Sequence, residues 1–206
     1  MTREEDDRTK MERRESIANT IITKQKDLPK LAFKTQALAA FAAIAGAVVI
    51  PQLFHVMGAV SGLGTALGET FLPMHLPIIL AGLMAGPYAG AVAGVFGPLV
   101  SFALSGMPGA AMLPFMMIEL AVYGLAAGLL RNASMPVLAK VILVQIAGRL
   151  VRAAAIVAGV SLLGVQGIQM PVIWNSIVTG LPGLILQWTL LPLLVFWINN
   201  RAKNEQ

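Results

Sequence analysis

The sequence predicts an all-α integral membrane protein, a compact bundle of six transmembrane helices with cytoplasmic N- and C-termini. Of its 206 residues, 57% are hydrophobic and only 12% are charged, whereas a soluble domain has about 25% charged residues. The charge is also uneven, because 16 of the 25 charged side chains lie in residues 1–34. We predict a polar cytoplasmic tail over residues 1–30, a transmembrane domain over 31–200 and a short cytoplasmic tail over 201–206.

The absence of cysteine and the mixed charge of the tail exclude several classes. A chain without cysteine has no thiol nucleophile, thiolate metal site or disulfide. Basic residues of the tail alternate with acidic ones, which is not typical of a nucleic-acid-binding patch. A long charged stretch precedes the first apolar run, unlike in a signal peptide. We expect no nucleic-acid partner, and we interpret the tail as a solvated extension or a helix at the membrane surface.

Proline and glycine divide the apolar body into helices of about 20 residues, the length that spans a membrane. The first helix is predicted to stop before Pro51, and the glycine-rich residues 52–72 to form an ordered loop. The next apolar run is too long for one helix and divides at Gly86-Pro87, since proline is tolerated at the first turn of a helix. The six predicted helices cover about residues 31–50, 73–86, 87–105, 110–130, 137–163 and 172–198.

The positions of lysine and arginine predict the orientation of these helices. If the N-terminus is inside, the outer segments are residues 52–72, 106–109 and 164–171, which contain no lysine or arginine. Basic residues accumulate on the cytoplasmic side of membrane proteins. The cytoplasmic segments beyond the tail hold Arg131, Lys140, Arg201 and Lys203.

Three ionisable side chains lie at membrane depth, away from the ends of the predicted helices: Glu119, Arg149 and Arg152. Each costs roughly 2.5–3.5 kcal/mol to insert in a membrane, so each needs a partner or a function. At 1.5 Å per residue, Glu119 and Arg152 lie about 18 Å from the cytoplasmic boundary. Gln187 lies at a similar depth, and Tyr123 and Arg149 match each other one turn lower. The sequence therefore predicts a polar cluster inside the bundle.

This cluster has two interpretations. An ion pair of Glu119 with one arginine would only fix helix packing. Because one carboxylate cannot neutralise two arginines, the second arginine would instead bind an anionic or strongly hydrogen-bonding ligand from outside. Near the same outer face we expect ligand contacts from His75, Glu69 and Asn175. Trp174 either stacks on a ring of the ligand or lies in the interfacial aromatic belt.

Small residues recur at every fourth position in two rows, and such rows let helices approach closely. The glycine row predicts packing within the bundle, whereas the alanine row suits either internal packing or contact with a partner protein. The rows are Ala39, Ala43 and Ala47, and Gly82, Gly86, Gly90 and Gly94.

Motifs of catalysis and metal binding are missing. The sequence contains no Walker A loop, GxSxG or HExxH motif, so it predicts no catalytic residues and no ATP hydrolysis by this chain. The spacing of His55, Glu69 and His75 matches no known metal signature, and we expect no metal site. Active transport by this chain would therefore need an outside source of energy.

Four stretches of the sequence carry a family resemblance. They are residues 71–87 (FLPMHLPIILAGLMAGP), 88–98 (YAGAVAGVFGP), 105–108 (SGMP) and 119–129 (ELAVYGLAAGL). Together with six helices, an alanine-repeat first helix and a long loop after it, they resemble the S components of energy-coupling factor (ECF) transporters. The resemblance covers about residues 31–200.

The resemblance implies a membrane subunit, not an enzyme, that captures a vitamin or related micronutrient outside a bacterial cell. S components dock through alanines of the first helix onto a transmembrane coupling protein that carries two ATPase subunits. The docking row by motif match is Ala39, Ala43 and Ala47. ATP would be used by the partner subunits, and we expect no cofactor in this chain. The family's ligand site lies near the outer face and here implies the loop 52–72 with Glu119, Tyr123, Arg149, Arg152, Asn175 and Gln187.

Three other functions compete with this interpretation. A stand-alone secondary transporter would cycle a proton on Glu119. An intramembrane enzyme would use Glu119 and His75, although the chain offers no activated nucleophile. A purely structural assembly protein would leave Arg149 and Arg152 without a purpose.

Overall fold

The computed structural model of the chain describes residues 8–12 and 31–204, with the backbone alone for 202–204. Residues 8–12 are helical, and the rest of the predicted tail over 1–30 lies outside the described residues. The helices that follow are α1 (Phe33–Ser61), α2 (Ala66–Phe71), α3 (His75–Ala85), α4 (Pro87–Ser105), α5 (Leu113–Leu130), α6 (Val137–Leu162) and α7 (Pro171–Asn204).

The helices confirm the predicted fold class. Over residues 8–12 and 31–204, six helical segments are long and apolar enough to cross a membrane, with α2 and α3 together forming one of them. The split at Gly86-Pro87 and the bounds of α4 are as predicted. The cytoplasmic location of the termini stays a prediction.

The first helix is longer than predicted. We expected it to stop before Pro51 and a loop to follow over residues 52–72, but α1 continues through Pro51 to Ser61. A proline removes only one backbone hydrogen bond, and membrane helices tolerate it because neighbouring groups satisfy the freed carbonyl. The helix ends instead at Gly62, whose φ of 75° is the left-handed cap that favours glycine. The short helix α2 then occupies part of the expected loop.

The last helix also exceeds its predicted end. We expected it to end near residue 198, before Asn199-Asn200-Arg201, but α7 reaches Asn204. The guanidinium of Arg201 lies 4.1 Å from the centroid of the Trp197 ring. This cation–π contact, together with the good helix propensity of arginine, alanine and lysine, supports the polar extension.

Helices α4 and α5 pack backbone against backbone. A Cβ atom on Gly90 would overlap the carbonyl oxygen of Gly124, and a Cβ on Gly124 would overlap that of Gly90. Gly82 and Gly94 contact the backbone of α5 in the same way. The glycine row therefore packs inside the bundle, as predicted, except that Gly86 (φ 107°) ends α3.

The core lies between these helices, and the outer surface is apolar. Ile78, Ile79 and Leu83 of α3 are fully buried and share one apolar cluster with Leu120 of α5 and Val144 of α6. Large apolar side chains are exposed on the outside of the bundle, where lipid tails would surround them in a membrane. Examples are Phe33, Phe41, Leu104, Leu129, Leu150 and Leu162.

Candidate functional site

A cavity of about 400 Å³ opens at one end of the bundle, where α1 and α4 end and α3, α5 and α7 begin. All seven helices contribute to its wall. The distribution of lysine and arginine predicts that this end faces outward. The polar side chains in the wall are His55, Thr65, Glu69, His75, Ser101, Glu119, Arg149, Arg152, Asn175, Ser176 and Thr179.

Glu119 on α5 is the centre of the buried charge at the floor of this cavity. Its side chain is 1% exposed. Its Oε2 atom accepts a hydrogen bond from Nη1 of Arg152 at 3.0 Å, and its Oε1 atom lies 3.2 Å from Nε of Arg149. The predicted polar cluster is therefore confirmed, and a single carboxylate serves both arginines.

The two arginines of α6 differ in how firmly they are held. Arg152 donates a hydrogen bond to Glu119 and a second one, at 3.5 Å, to the sulfur of Met112. Arg149 donates only a long hydrogen bond of 3.4 Å, to the hydroxyl of Ser176 on α7. Its Nη2 atom is buried and has no hydrogen-bond partner within the described part of the chain. Arg152 is thus the main partner of Glu119. Two buried nitrogens of Arg149, Nε and Nη2, lack a hydrogen-bond partner in the described residues, against Nε alone on Arg152, so Arg149 is the less satisfied cation.

Tyr123 hydrogen-bonds Glu119, and His75 packs beside both residues. The hydroxyl of Tyr123 donates a hydrogen bond to Oε1 of Glu119 at 2.8 Å. The Nδ1 atom of His75 lies 3.2 Å from the carbonyl oxygen of Leu72, which can only accept, so this nitrogen carries the proton. The Nε2 atom of His75 is then 4.0 Å from Oε1 of Glu119. The rings of His75 and Tyr123 also touch, with centroids 5.1 Å apart.

The sequence of this bundle matches a known protein family. A family model described as "ECF transporter, substrate-specific component" matches residues 36–195. The chain belongs to this family. Its members are transport subunits, so the alternative of an intramembrane enzyme built on Glu119 and His75 is set aside. Comparisons with curated proteins and with solved structures gave no match.

A chain of hydrogen bonds links α2 to the two last helices of this S component. The side-chain amide of Gln187 on α7 donates to the carbonyl of Leu72 at 3.2 Å, just after α2. The amide of Gln145 on α6 donates to Oε1 of Gln187 at 2.9 Å. The indole N–H of Trp188 donates to Oε1 of Gln145 at 2.6 Å. We call these three side chains the glutamine relay.

Helix α2 covers one side of the cavity. The hydroxyl of Thr65 donates a hydrogen bond of 2.9 Å to Oε1 of Glu69, which is exposed at the rim. The ring of Phe71 packs on that of Phe54, with centroids 5.5 Å apart. A Cβ on Gly183 of α7 would meet the backbone of Phe71 at 2.6 Å, so α2 is seated directly on α7.

The structure places the sequence-predicted ligand residues in three groups. Six of them line the cavity. Tyr123 and Gln187 are buried behind its wall, where they hydrogen-bond Glu119 and Leu72. Trp174 is 68% exposed and lies outside the lining, a position that suits the aromatic belt better than stacking on a ligand. The six lining residues are Glu69, His75, Glu119, Arg149, Arg152 and Asn175.

Several residues of the site were missed from the sequence. Ser176 and Thr179 line the cavity beside Asn175, and their spacing of three to four residues puts them on one face of α7. That spacing was the available signal, but hydroxyl groups are common in helices and mark no site alone. Met112 and Met116, at the start of α5, also line the cavity. They were missed because apolar residues at helical spacing predict a buried helix face and not a ligand site.

The alanine row assigned to partner docking is largely internal. Ala43 and Ala47 are buried in the core. A Cβ atom added to Gly97 would lie only 3.1 Å from the Cβ of Ala47. Only Ala39 is partly accessible, whereas Ala42 and Ala45 lie on the exposed side of α1. A spacing of four residues does not show whether such a row faces the core or the outside of the bundle. The docking role of the row stays a prediction, and two of its members have a packing role.

Among the described residues, no three of the side chains of His, Cys, Asp and Glu are grouped as ligands for a metal ion. His55 lies against Gly68 of α2, and His75 is engaged with Leu72 and Glu119. The groups of the cavity wall that can bind a ligand include arginine, carboxylate, amide and hydroxyl groups.

Proposed function

We propose that this S component captures a small water-soluble vitamin or related micronutrient at the outer face of a bacterial cell membrane. It delivers this ligand inward together with a transmembrane coupling protein and two ATPase subunits, which use the ATP. The observation that carries the proposal is a cavity walled by all seven helices around a buried charge cluster.

The size and chemistry of the cavity support ligand capture. About 400 Å³ lies within the range of small-molecule sites, which combine apolar walls with a few fixed polar groups. Here proline, leucine and methionine side chains form much of the wall, and Glu119, Arg149 and Arg152 form the polar floor. Burying three charges in a membrane protein is costly without a function for them.

A groove between α1 and α4 supports docking of a partner in the membrane. It is lined by apolar and small side chains, among them Phe33, Ala37, Phe41, Tyr88 and Phe96, and lies toward the N-terminal ends of both helices. The cavity lies at the opposite end. Ligand capture and coupling would thus use separate surfaces, with the coupling protein on the exposed side of α1 rather than against Ala43 and Ala47.

Transport by reconstituted protein tests the proposal. The full chain is placed in proteoliposomes with and without a coupling protein and its two ATPases, and uptake of the compound that co-purifies with the chain is followed. We expect a stable complex and uptake only with the partners and ATP. A chain that never associates with them would contradict the proposal.

The same experiment distinguishes the stand-alone transporter. That function requires uptake by the chain alone, driven by a pH gradient and lost in Glu119→Gln. The hydrogen bond of Glu119 to Arg152 and its ion pair with Arg149 favour a permanently charged carboxylate instead, because protonation would leave both guanidinium groups uncompensated.

A further inference from the structure

We infer that the ligand is a monoanion whose carboxylate group binds Arg149, while Glu119 remains paired with Arg152. The inference rests on the proposed function, since it names the class of molecule that the same cavity captures. Three observations support it: the charge of the buried cluster, the unequal partners of the two arginines, and the shape of the donor group that remains.

With His75 counted as neutral, the buried cluster has one positive charge in excess. Arg149 and Arg152 are about nine-tenths buried and Glu119 is fully buried, so two cations face one anion. Glu69 is the other acidic residue in the wall, but it is exposed at the rim and held by Thr65, where solvent screens its charge. A ligand with a single negative charge would neutralise the buried cluster.

The excess charge resides on Arg149. Arg152 donates a direct hydrogen bond to the carboxylate of Glu119, whereas Nε of Arg149 lies 3.2 Å from it without forming one. The hydroxyl of Ser176, at 3.4 Å, is a weak and neutral partner for Arg149. A buried charged donor without an acceptor is unfavourable, and an acceptor from the ligand would remove that cost.

The donors that remain on Arg149 fit a carboxylate. Nε and Nη2 form one edge of the planar guanidinium, and neither has a hydrogen-bond partner in the part of the chain that the structure describes. Two parallel N–H groups match the two oxygens of a carboxylate. A dianion such as phosphate at neutral pH would leave one negative charge in excess, and a neutral ligand would leave Arg149 uncompensated.

Matched probes test this inference on the full chain in detergent. Equilibrium dialysis uses an equimolar set of small water-soluble monocarboxylates, each accompanied by its primary amide and by a dicarboxylate of the same skeleton, with retained compounds measured by mass spectrometry. We expect at least one monocarboxylate to be retained about tenfold or more above its amide. In Arg149→Gln, its retention should fall about 10- to 100-fold.

Two variants control for charge and for folding. Arg149→Lys keeps the charge but loses the planar fork, so it should restore part of the retention lost in Arg149→Gln. Arg201→Gln removes an arginine near the far end of α7, which stacks on Trp197, and should leave retention unchanged. Thermal unfolding in detergent shows that each variant is folded.

Glu119→Gln tests the charge count. It raises the charge of the buried cluster from one to two, so the preference should shift toward the dicarboxylate by about tenfold. A folded variant that keeps the wild-type preference would overturn charge matching. If this variant does not fold, the Arg149 variants still decide the question.

Two further outcomes also overturn the inference. One is a wild-type chain that retains no acid above its amide, and the other is an Arg149→Gln chain with the wild-type acid-to-amide ratio. Retention of a neutral compound would refute the anionic ligand yet leave ligand capture intact. Failure to associate with the coupling protein would instead refute the proposed function.

Discussion

The two sides of the bundle are packed by different means. Helices α4 and α5 meet through Gly90 and Gly124, with their backbones in direct contact. Helices α6 and α7 meet through side-chain hydrogen bonds of Gln145 and Gln187 and through Arg149 with Ser176. The first interface has no room to adjust, whereas the second adjoins the cavity and contains an incompletely satisfied arginine. One side of the bundle is therefore held by backbone contact, and the other by polar side chains beside the cavity.

The largest effect is expected from breaking the scaffold. In Gly124→Leu, the new side chain would overlap the backbone of Gly90, and a backbone cannot move aside as a flexible side chain can. We expect a loss of at least about 3 kcal/mol in the free energy of unfolding, or no folded protein. The yield of monodisperse protein and its thermal unfolding in detergent measure this.

The matched control is Gly109→Ala, where a Cβ would meet open space and stability should change by no more than about 0.5 kcal/mol. A Gly124→Leu chain with wild-type stability would show that α4 and α5 are not in backbone contact.

A comparable effect is expected at the buried charge. Glu119→Ala leaves two buried arginines without their carboxylate and should cost about 3–5 kcal/mol of unfolding free energy. Double-mutant cycles of Glu119→Gln with Arg152→Gln and with Arg149→Gln sharpen this point. The coupling of Glu119 with Arg152 should exceed that with Arg149 by about 1 kcal/mol, because of the two arginines Arg152 alone donates it a hydrogen bond. Equal couplings would mean that the two arginines share Glu119 alike.

The glutamine relay should have a smaller effect. Gln187→Leu leaves the amide of Gln145 without its acceptor and removes the hydrogen bond to the carbonyl of Leu72. We expect a loss of about 1–3 kcal/mol in unfolding free energy. The exposed Gln166→Leu serves as the matched control, with a change within about 0.5 kcal/mol. Equal stability of the two variants would show that the relay does not hold α2 in place.

The smallest effect is expected outside the cavity. Trp174 is exposed and does not line it, so Trp174→Ala should change the affinity for the co-purified compound by less than about twofold. The neighbouring Asn175 does line it, and Asn175→Ala should weaken binding more. Isothermal titration measures the affinity of both variants for this compound. A larger loss of affinity in Trp174→Ala than in Asn175→Ala would indicate that Trp174 stacks on the ligand.

Counting residues along the helices predicted part of the site. It placed Glu119 and Arg152 at one depth, and the structure joins them at 3.0 Å, because depth depends only on helical rise. It did not separate the roles of Arg149 and Arg152, since those depend on how α6 is rotated against its neighbours. The partners of Gln145 were missed for the same reason: Gln187 and Trp188 are more than 40 residues away in sequence.

Sequence patterns that do not show which way a helix faces or where it ends were the least informative. The alanine spacing in α1 fits either side of the helix, and the structure turns Ala43 and Ala47 inward. Pro51 was interpreted as a helix end, although the left-handed Gly62 is the residue that ends α1. The fold class followed from composition and helix length, whereas the site depends on which helix faces meet.

Mass spectrometry of the small molecule that co-purifies with the chain tests the central claim most directly. The wild-type protein, purified in detergent, should carry a compound with a single carboxylate, and folded Arg149→Gln should have lost it. A folded Arg149→Gln chain that carries the same compound in the same amount would contradict a ligand site at the buried arginine.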